Sequence, residues 1–333
     1  MTRRMSVLAG ALAAGLAAAL VVGAAFAKED PAATRELPPV RVPPARAGVR
    51  HQRLLVLGDW GTGGRGQRRI AEAMAARVRA EAADLPADSG PAIDLVLTTG
   101  DNVYEHGVQG VDDPLWERVF ERVYDQPELA VPWRPTLGNH DHRGDVAAQV
   151  AYSRRSERWD MPGRYYDFTL PLGQGQSVQL FALDTGPLAF RNPDREQLAW
   201  LDERLAASQA TWKVVYGHHP LYSESVRPDN LTLIRRLEDR LVRHGVDLYL
   251  AGHDHVLELL RPIRGVHHVV TGGGAGADRP YAVRWTDRVR YAATGGGFTW
   301  LRIGPTELVI EFCRQDGRAQ FAHTLVKDGA GPY

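Results

Sequence analysis

The most informative segment of this 333-residue chain is Leu54-Leu55-Val56-Leu57-Gly58-Asp59. Four consecutive apolar residues predict a short strand that is buried on both faces. The glycine lets the backbone turn sharply, and the aspartate then places a carboxylate just beyond the strand. Because ligands of open α/β sheets bind outside the carboxyl ends of the strands, the segment predicts a polar site at this tip.

The same arrangement of an apolar strand, a glycine and a polar side chain recurs along the chain. The further strand ends carry Gly100-Asp101-Asn102 with Tyr104 just beyond, Gly138-Asn139-His140-Asp141, Gly217-His218-His219 and Gly252-His253-Asp254-His255. Parallel strands would bring all these tips together. Carboxylate and imidazole together are the donors of hydrolytic metal sites. The donors are too many for one ion, so the sequence predicts a two-metal site of the kind that promotes in-line displacement at phosphorus.

Each motif taken alone has a plainer interpretation. Gly-Asp and Gly-Asn are common turn pairs, and a single histidine is more often a surface or structural residue. The pair His253 and His255 is a stronger signal, because alternate residues of an extended segment face the same way. The recurrence of the motif favours a functional site over a set of turns. Six histidines outside the motifs are interpreted as surface or structural residues: His51, His106, His244, His267, His268 and His323.

Strand-like and helix-like stretches alternate over most of the chain, which predicts an α/β fold. Helices are expected over 67–82, 114–124, 193–207 and 231–243. Further strands are expected over 93–97, 134–137, 177–183, 213–216 and 246–250. From 257 to 326 the pattern is one of strands separated by glycine turns, which suggests a second sheet.

Composition narrows the class of protein. Lys plus Arg and Asp plus Glu both number 40, so the formal net charge is zero and no nucleic-acid partner is expected. Cys313 is the single cysteine, so no intramolecular disulfide can form, and its apolar neighbours predict a buried structural thiol.

The N-terminus has the pattern of a secretory signal. Arg3 and Arg4 precede an Ala- and Leu-rich run, and Ala25-Phe26-Ala27 resembles a cleavage site. We therefore expect a signal peptide over 1–27, a Pro-rich linker over 28–52 and one catalytic domain over 53–333. The protein is expected to be exported to the periplasm or the extracellular space, with no stable membrane insertion unless the segment is retained as an anchor.

The motifs resemble those of purple acid phosphatases, which belong to the calcineurin-like metallophosphoesterases, and the small tartrate-resistant type in particular. The resemblance runs from about residue 53 to the C-terminus and includes the stretch 138–159, with Gln149-Val150-Ala151-Tyr152-Ser153 and Arg158-Trp159. Other calcineurin-like enzymes usually carry Asp-x-His in the first motif. This chain lacks that histidine, and Tyr104 supplies a replacement donor.

The resemblance implies a fold and a set of ligands. The fold would be a four-layer αββα sandwich of two mixed β-sheets flanked by helices. One site would hold iron(III), and the other would hold divalent iron, zinc or manganese. The implied ligands are Asp59, Tyr104 and His255 for iron(III), Asp101 as the bridge, and Asn139, His218 and His253 for the divalent ion. Hard anionic donors suit a trivalent ion, whereas imidazole and a neutral amide suit a divalent one.

The implied activity is that of an exported acid phosphatase that hydrolyses phosphate monoesters with metal-activated water. Asn139 and His140 would contact the phosphate of a small ester substrate, with His140 as a catalytic residue. Arg227 stands where the family has a histidine that helps to protonate the leaving group. Arginine cannot donate a proton, so it is interpreted as a substrate-binding residue, and a preference for aryl over alkyl esters is expected. The alternatives are a phosphodiesterase or nucleotide hydrolase, a redox protein and a metal-dependent binding module. The oligomeric state is not predicted.

Overall fold

The computed structural model describes residues 40, 49–86, 89–173, 175–190, 193–275 and 281–327. The predicted signal peptide and most of the predicted linker lie outside these residues. Within the described ranges, no helix has the length and apolar character needed to cross a membrane.

The described residues form two mixed sheets, called sheet A and sheet B below. The strands of sheet A are β1 (Gln52–Leu57), β2 (Leu95–Thr98), β3 (Trp133–Pro135), β11 (Gly297–Ile303), β12 (Glu307–Arg314) and β13 (Ala319–Val326). The strands of sheet B are β4 (Tyr166–Gly173), β5 (Gln176–Ala182), β6 (Trp212–Tyr216), β7 (Leu248–Ala251), β8 (Val256–Leu260), β9 (His267–Thr271) and β10 (Val289–Thr294).

Strand order makes both sheets mixed. Sheet A runs β13-β12-β11-β1-β2-β3, with β1, β2 and β3 parallel and the other three pairings antiparallel. Sheet B runs β10-β8-β9-β7-β6-β5-β4, with β5, β6, β7 and β9 parallel. The apolar strand β1 lies inside sheet A and is buried along its whole length, as its composition predicts.

The two sheets face each other across an apolar core. Thr299 on sheet A donates a hydrogen bond of 3.1 Å to Thr271 on sheet B, and the rings of Phe312 and Tyr291 from the two sheets lie 4.8 Å apart. Successive side chains of β5 face opposite sides of sheet B. Leu180 belongs to the core between the sheets, and Phe181 belongs to the second core, which lies behind sheet B.

Helices cover the outer faces. α1 (Arg65–Asp84) packs against sheet A, where Arg77 lies 4.3 Å above the ring of Trp300. α4 (Arg195–Ala207) packs in the second core, behind sheet B. The remaining helices are α2 (Val146–Tyr152), α3 (Thr185–Ala189), α5 (Leu231–Leu233) and α6 (Asp239–Arg243), the last two joined by a π-helical turn over Ile234–Glu238. The expected αββα sandwich of two mixed sheets is confirmed.

Three expectations about elements need correction. The C-terminal strands do not form a sheet of their own, because β8 to β10 extend sheet B and β11 to β13 extend sheet A. The edge strand β4 was not expected, since it is half-exposed and contains Pro171, which normally argues against a strand. The helix expected over 114–124 is mainly a π-helical turn over Glu117–Glu121, in which Arg122 N donates to the carbonyl of Glu117.

Candidate metal centre

The five motif-bearing strand ends meet, but they come from both sheets. β1, β2 and β3 of sheet A lead to Asp59, Asp101 and Asn139, whereas β6 and β7 of sheet B lead to His218 and His253. The expected convergence of the strand ends is therefore achieved by two sheets and not by one. Stacking places the carboxyl ends of two sets of parallel strands at the same end of the sandwich, where their donors converge.

Three donors occupy unusual backbone conformations. Asp59, Asp101 and His253 have φ values of 59°, 50° and 68°, in the left-handed region that costs a non-glycine residue about 1–3 kcal/mol. Such strain persists only where the surrounding structure imposes it, and here it turns each side chain from its strand end toward a common point. The clustering of the strained residues at this point is typical of a functional site.

Gly138 shows why the motifs need glycine. A Cβ atom at this position would lie 2.1 Å from Asp101 Oδ1 and 2.2 Å from the backbone nitrogen of Asp101. No side chain can be accommodated there, so the glycine allows the loop after β3 to touch the loop after β2, called the β3 loop and the β2 loop below.

The first donor group contains Asp59, Tyr104 and His255. The phenol oxygen of Tyr104 lies 3.2 Å from Asp59 Oδ1 and 3.4 Å from His255 Nε2, and the last two atoms are 3.4 Å apart. Burial, together with the charges of Asp59 and Asp101, raises the pKa of Tyr104 far above its ordinary value. The phenol therefore keeps its proton in the protein alone, and a strongly charged cation is needed to replace that proton.

The second donor group contains Asn139, His218 and His253. His218 Nε2 lies 3.1 Å from Asn139 Oδ1 and 3.1 Å from His253 Nδ1. The other ring nitrogen of His218 is 2.9 Å from the carbonyl oxygen of Thr99, which can only accept a hydrogen bond. The ring proton is thus held on Nδ1, and the lone pair of Nε2 points into the group, as a metal-binding histidine requires.

Asp101 connects the two groups. Its Oδ2 lies 3.5 Å from His218 Nε2, its charge acts on Tyr104 of the first group, and donor atoms of Asp59, Asp101 and His218 lie within 4.8 Å of one another. A carboxylate in this position could reach an ion in each donor group, as a bridge in a two-metal site does.

The charges in this region also favour bound cations. The side chains of Asp59 and Asp101 are only 1% and 2% exposed, and within the described residues their ion-pair partners are histidines, with neither lysine nor arginine in range. Two buried carboxylates without a permanent positive partner are costly. Bound cations would remove that cost, so the residues present fit a metal pair.

His140 lies beside the donors rather than among them. Its Nδ1 is 2.8 Å from the carbonyl oxygen of Glu105, and its Nε2 is 3.9 Å from Asp101 Oδ2. The carbonyl holds the ring proton on Nδ1 and leaves Nε2 directed toward the centre. This orientation suits contact with a phosphoryl oxygen, which stays a prediction.

Arg227 reaches the centre through His253. Its guanidinium contacts His253 Nε2 at 2.6 Å and the hydroxyl of Tyr281 at 2.9 Å, and its Nε is 3.4 Å from Asp254 Oδ1. Coordination through His253 Nδ1 would place the ring proton on Nε2, so Arg227 could no longer donate there and would be free to meet an anion.

An open pocket of about 700 Å³ leads to the centre. Its lining includes the donors Asn139 and His253 together with Arg227, and it continues to His142 and the exposed ring of Phe190. His219 also lines this pocket, but its Nδ1 contacts Thr185 Oγ1 at 2.9 Å. Burial and the neighbouring His218 hold the pKa of His219 well below its ordinary value, so this ring is neutral.

The sequence did not reveal the role of Asp141, although it belongs to a quoted motif. Its fully buried carboxylate accepts hydrogen bonds from nitrogen donors of both the β2 and the β3 loops. The donors are the backbone nitrogens of Asn102, Val103 and Gly138 and the side-chain amides of Asn102 and Gln149. Asp141 thus holds together the loops that carry Asp101, Tyr104 and Asn139. The available signal in the sequence was an aspartate that directly follows the candidate site residues Asn139 and His140.

Comparison with known proteins agrees with this geometry. The calcineurin-like phosphoesterase family matches residues 52–257. Tartrate-resistant acid phosphatase type 5 of Oryctolagus cuniculus is 34% identical over 257 residues, which cover 70% of this chain and 79% of the relative. Purple acid phosphatase 4 of Arabidopsis thaliana is 31% identical over 287 residues, covering 80% of each chain.

A solved structure supports the fold independently. GAP50, the anchor in the inner membrane complex of Plasmodium, superposes with a TM-score of 0.74 at 22% identity, covering 84% of this chain and 90% of that one. This likeness concerns architecture alone, since one fold can serve unrelated functions.

The chain therefore belongs to the calcineurin-like phosphoesterase family, and its relatives there are tartrate-resistant and purple acid phosphatases. It is a hydrolase of that family, and the resemblance found in its motifs is confirmed.

Proposed function

We propose that this protein is an exported purple acid phosphatase that hydrolyses phosphate monoesters at a pair of metal ions, iron(III) and divalent iron, zinc or manganese. The observation that carries the proposal is the first donor group, in which the buried Tyr104 hydroxyl lies within 3.2–3.4 Å of Asp59 and His255. A phenolate with carboxylates is a hard, anionic donor set that suits a trivalent ion.

The bound ions would acidify a water molecule and stabilise negative charge on the phosphoryl oxygens. The residues of the chain orient the ester. His140 presents Nε2 to a phosphoryl oxygen, and Arg227, which lines the pocket, offers a fork of donors. The leaving group would then extend into the open pocket, whose lining continues from Asn139 to His142 and Phe190.

Tyr104→Phe tests the iron(III) assignment. We expect the iron-loaded, oxidised wild type to show a visible charge-transfer band, and the variant to lose it while keeping its fold. Tyr291→Phe is the matched control, because Tyr291 is a buried tyrosine in β10, outside the centre. A colourless oxidised wild type containing iron would refute the assignment.

The substrate class is tested by assaying a phosphate monoester and a phosphate diester in parallel with the same metal-loaded preparation. We expect turnover of the monoester at acid pH and much slower turnover of the diester. Faster turnover of the diester would instead support a phosphodiesterase.

Export is tested by expressing the full chain and sequencing the N-terminus of the mature protein. Cleavage after Ala27 predicts a mature chain that begins at Lys28. An intact N-terminus on membrane-bound protein would show that the segment is retained as an anchor.

A further inference from the structure

We propose that His142, held by the buried carboxylate of Asp184, is the residue that protonates the leaving oxygen of the ester. This inference rests on the proposed phosphomonoesterase activity. The sequence left that reaction without a proton donor, because Arg227 stays protonated at any relevant pH.

The contact between His142 and Asp184 determines which ring nitrogen of His142 can donate a proton to the ester. His142 Nε2 lies 2.7 Å from Asp184 Oδ1, and the carboxylate is fully buried. A carboxylate accepts the hydrogen bond, so the proton on Nε2 is held there. The imidazole is 28% exposed, and Nδ1 has no hydrogen-bond partner among the described residues, which leaves that nitrogen available to an ester.

Asp184 is itself firmly held. Its backbone nitrogen donates to Gln197 Oε1 at 2.9 Å, and Gln197 Nε2 donates to its carbonyl at 3.0 Å. Among the described residues, its buried Oδ2 has no hydrogen-bond partner and lies 3.7 Å from the guanidinium of Arg164. A rigid, incompletely paired carboxylate is well suited to stabilise an imidazolium beside it.

The location of His142 fits the leaving group. It lies on the short turn Asp141–Arg143, immediately after Asn139 and His140, and its backbone nitrogen donates to the carbonyl of Gly138. Its side chain lines the same pocket as Asn139. The position of His142 relative to Asn139 is therefore fixed, although His142 belongs to neither donor group.

The charges that face His142 favour its protonated form. Burial lowers the pKa of His142, but the carboxylates of Asp184 and Asp141 outweigh burial and the charge of Arg164, so the pKa lies above its ordinary value. Across the pocket, His219 is neutral. An imidazolium is thus available at acid pH and into the neutral range.

The proposed step conserves atoms and charge. The oxygen of a water that has lost one proton to solvent bonds to phosphorus, and the bond from phosphorus to the ester oxygen breaks. The leaving oxygen keeps the bonding pair and takes the proton from Nδ1. His142 is left neutral, with its hydrogen on Nε2, and regains a proton from solvent, so the products are an alcohol and phosphate.

His142→Gln separates this role from a structural one. With a phenyl phosphate carrying a nitro group, whose leaving group needs no proton, we expect kcat to change less than about threefold. With an alkyl phosphate we expect kcat to fall about 10²–10³-fold, and the decline of activity at alkaline pH to disappear. Asp184→Asn should show the same selectivity more weakly, with the alkaline decline moved to lower pH.

Two controls accompany these variants. His106→Gln replaces an exposed histidine and should leave both substrates unaffected. Metal content and the visible band should match wild type in His142→Gln, which shows that the centre is intact. A further test measures kcat of the wild type against pH with each of the two esters. Only the alkyl ester should show the fall in kcat at alkaline pH that depends on the histidine.

Equal losses on both esters in His142→Gln, or identical wild-type pH profiles, would overturn the assignment of His142 while leaving the phosphatase proposal in place. A wild type that binds both metals yet hydrolyses neither ester would overturn both.

Discussion

At the scale of single residues, Asp101 is the side chain on which both donor groups depend. It lies 3.5 Å from His218 Nε2 and also acts on Tyr104, so its loss should weaken both metal sites together. We expect Asp101→Asn to lower phosphatase activity at least about 100-fold and to reduce the content of both metals. Elemental analysis and activity on the same samples check this.

The matched control for Asp101 is Asp112→Asn, which alters an exposed carboxylate with the same chemistry. Normal turnover by Asp101→Asn with both metals bound would show that Asp101 does not bridge them.

Arg227 should act on substrate binding. Its guanidinium lies in the pocket and would be released from His253 when that ring binds an ion. A hydrogen bond to a charged group contributes about 1.5–3 kcal/mol, so Arg227→Met should raise KM about 10–100-fold and change kcat little. Steady-state kinetics of this variant and of Arg235→Met, at an exposed arginine, provide the comparison. A normal KM in Arg227→Met would exclude a role in binding.

At the scale of elements, the loops after β2 and β3 act as one unit because Asp141 joins them. Asp141→Ala would leave several buried N–H groups without an acceptor, each costing about 1–3 kcal/mol. We expect the free energy of unfolding to fall by more than about 3 kcal/mol, and metal to be lost although Asp141 is not a ligand. Denaturant unfolding and elemental analysis measure the two effects.

Asp145→Ala is the control for this variant. Asp145 also accepts a backbone hydrogen bond, from Ala148 at the start of α2, at an exposed site. Its removal should cost about 1 kcal/mol and leave the metals in place. Full metal content in Asp141→Ala would show that the loops keep their positions without the carboxylate.

At the scale of the whole molecule, a buried acid links stability to pH. Glu258 in β8 is fully buried and accepts from the backbone nitrogen of Glu224. Burial, with the charges of Asp254 and Glu224, raises its pKa to about 8, above the ordinary value of 4.5. The folded state therefore holds this proton more tightly than the unfolded state, so the stabilisation is fully present below about pH 4.5 and is lost as pH rises from there to about 8.

Glu258→Gln removes the charge and keeps an acceptor. We expect the variant to match wild type at pH ~5 and to exceed its stability at pH ~8.5 by up to about 4 kcal/mol. Thermal unfolding at both pH values checks this, with the exposed Glu203→Gln as control. An equal difference at both pH values would show that Glu258 does not titrate in this range.

The sequence by itself determined the components of this protein. Its apolar strands end in glycine, because only glycine permits the close contact seen where Gly138 meets Asp101. Those local rules were enough to predict the α/β class, the main helices and the candidate donors. The resemblance to purple acid phosphatases supplied the two-sheet sandwich, which the structure confirms.

Only the tertiary structure decided how those components meet. Stacking of two sheets, rather than the edge of one, brings Asp59 next to His255 and Asn139 next to His218, because strand pairing depends on contacts between residues far apart in the chain. For the same reason, the sequence did not show that Asp141 joins two loops or that His142 pairs with Asp184. Their function depends on burial and on partners that are distant in sequence or lie in other loops, and no local pattern encodes either.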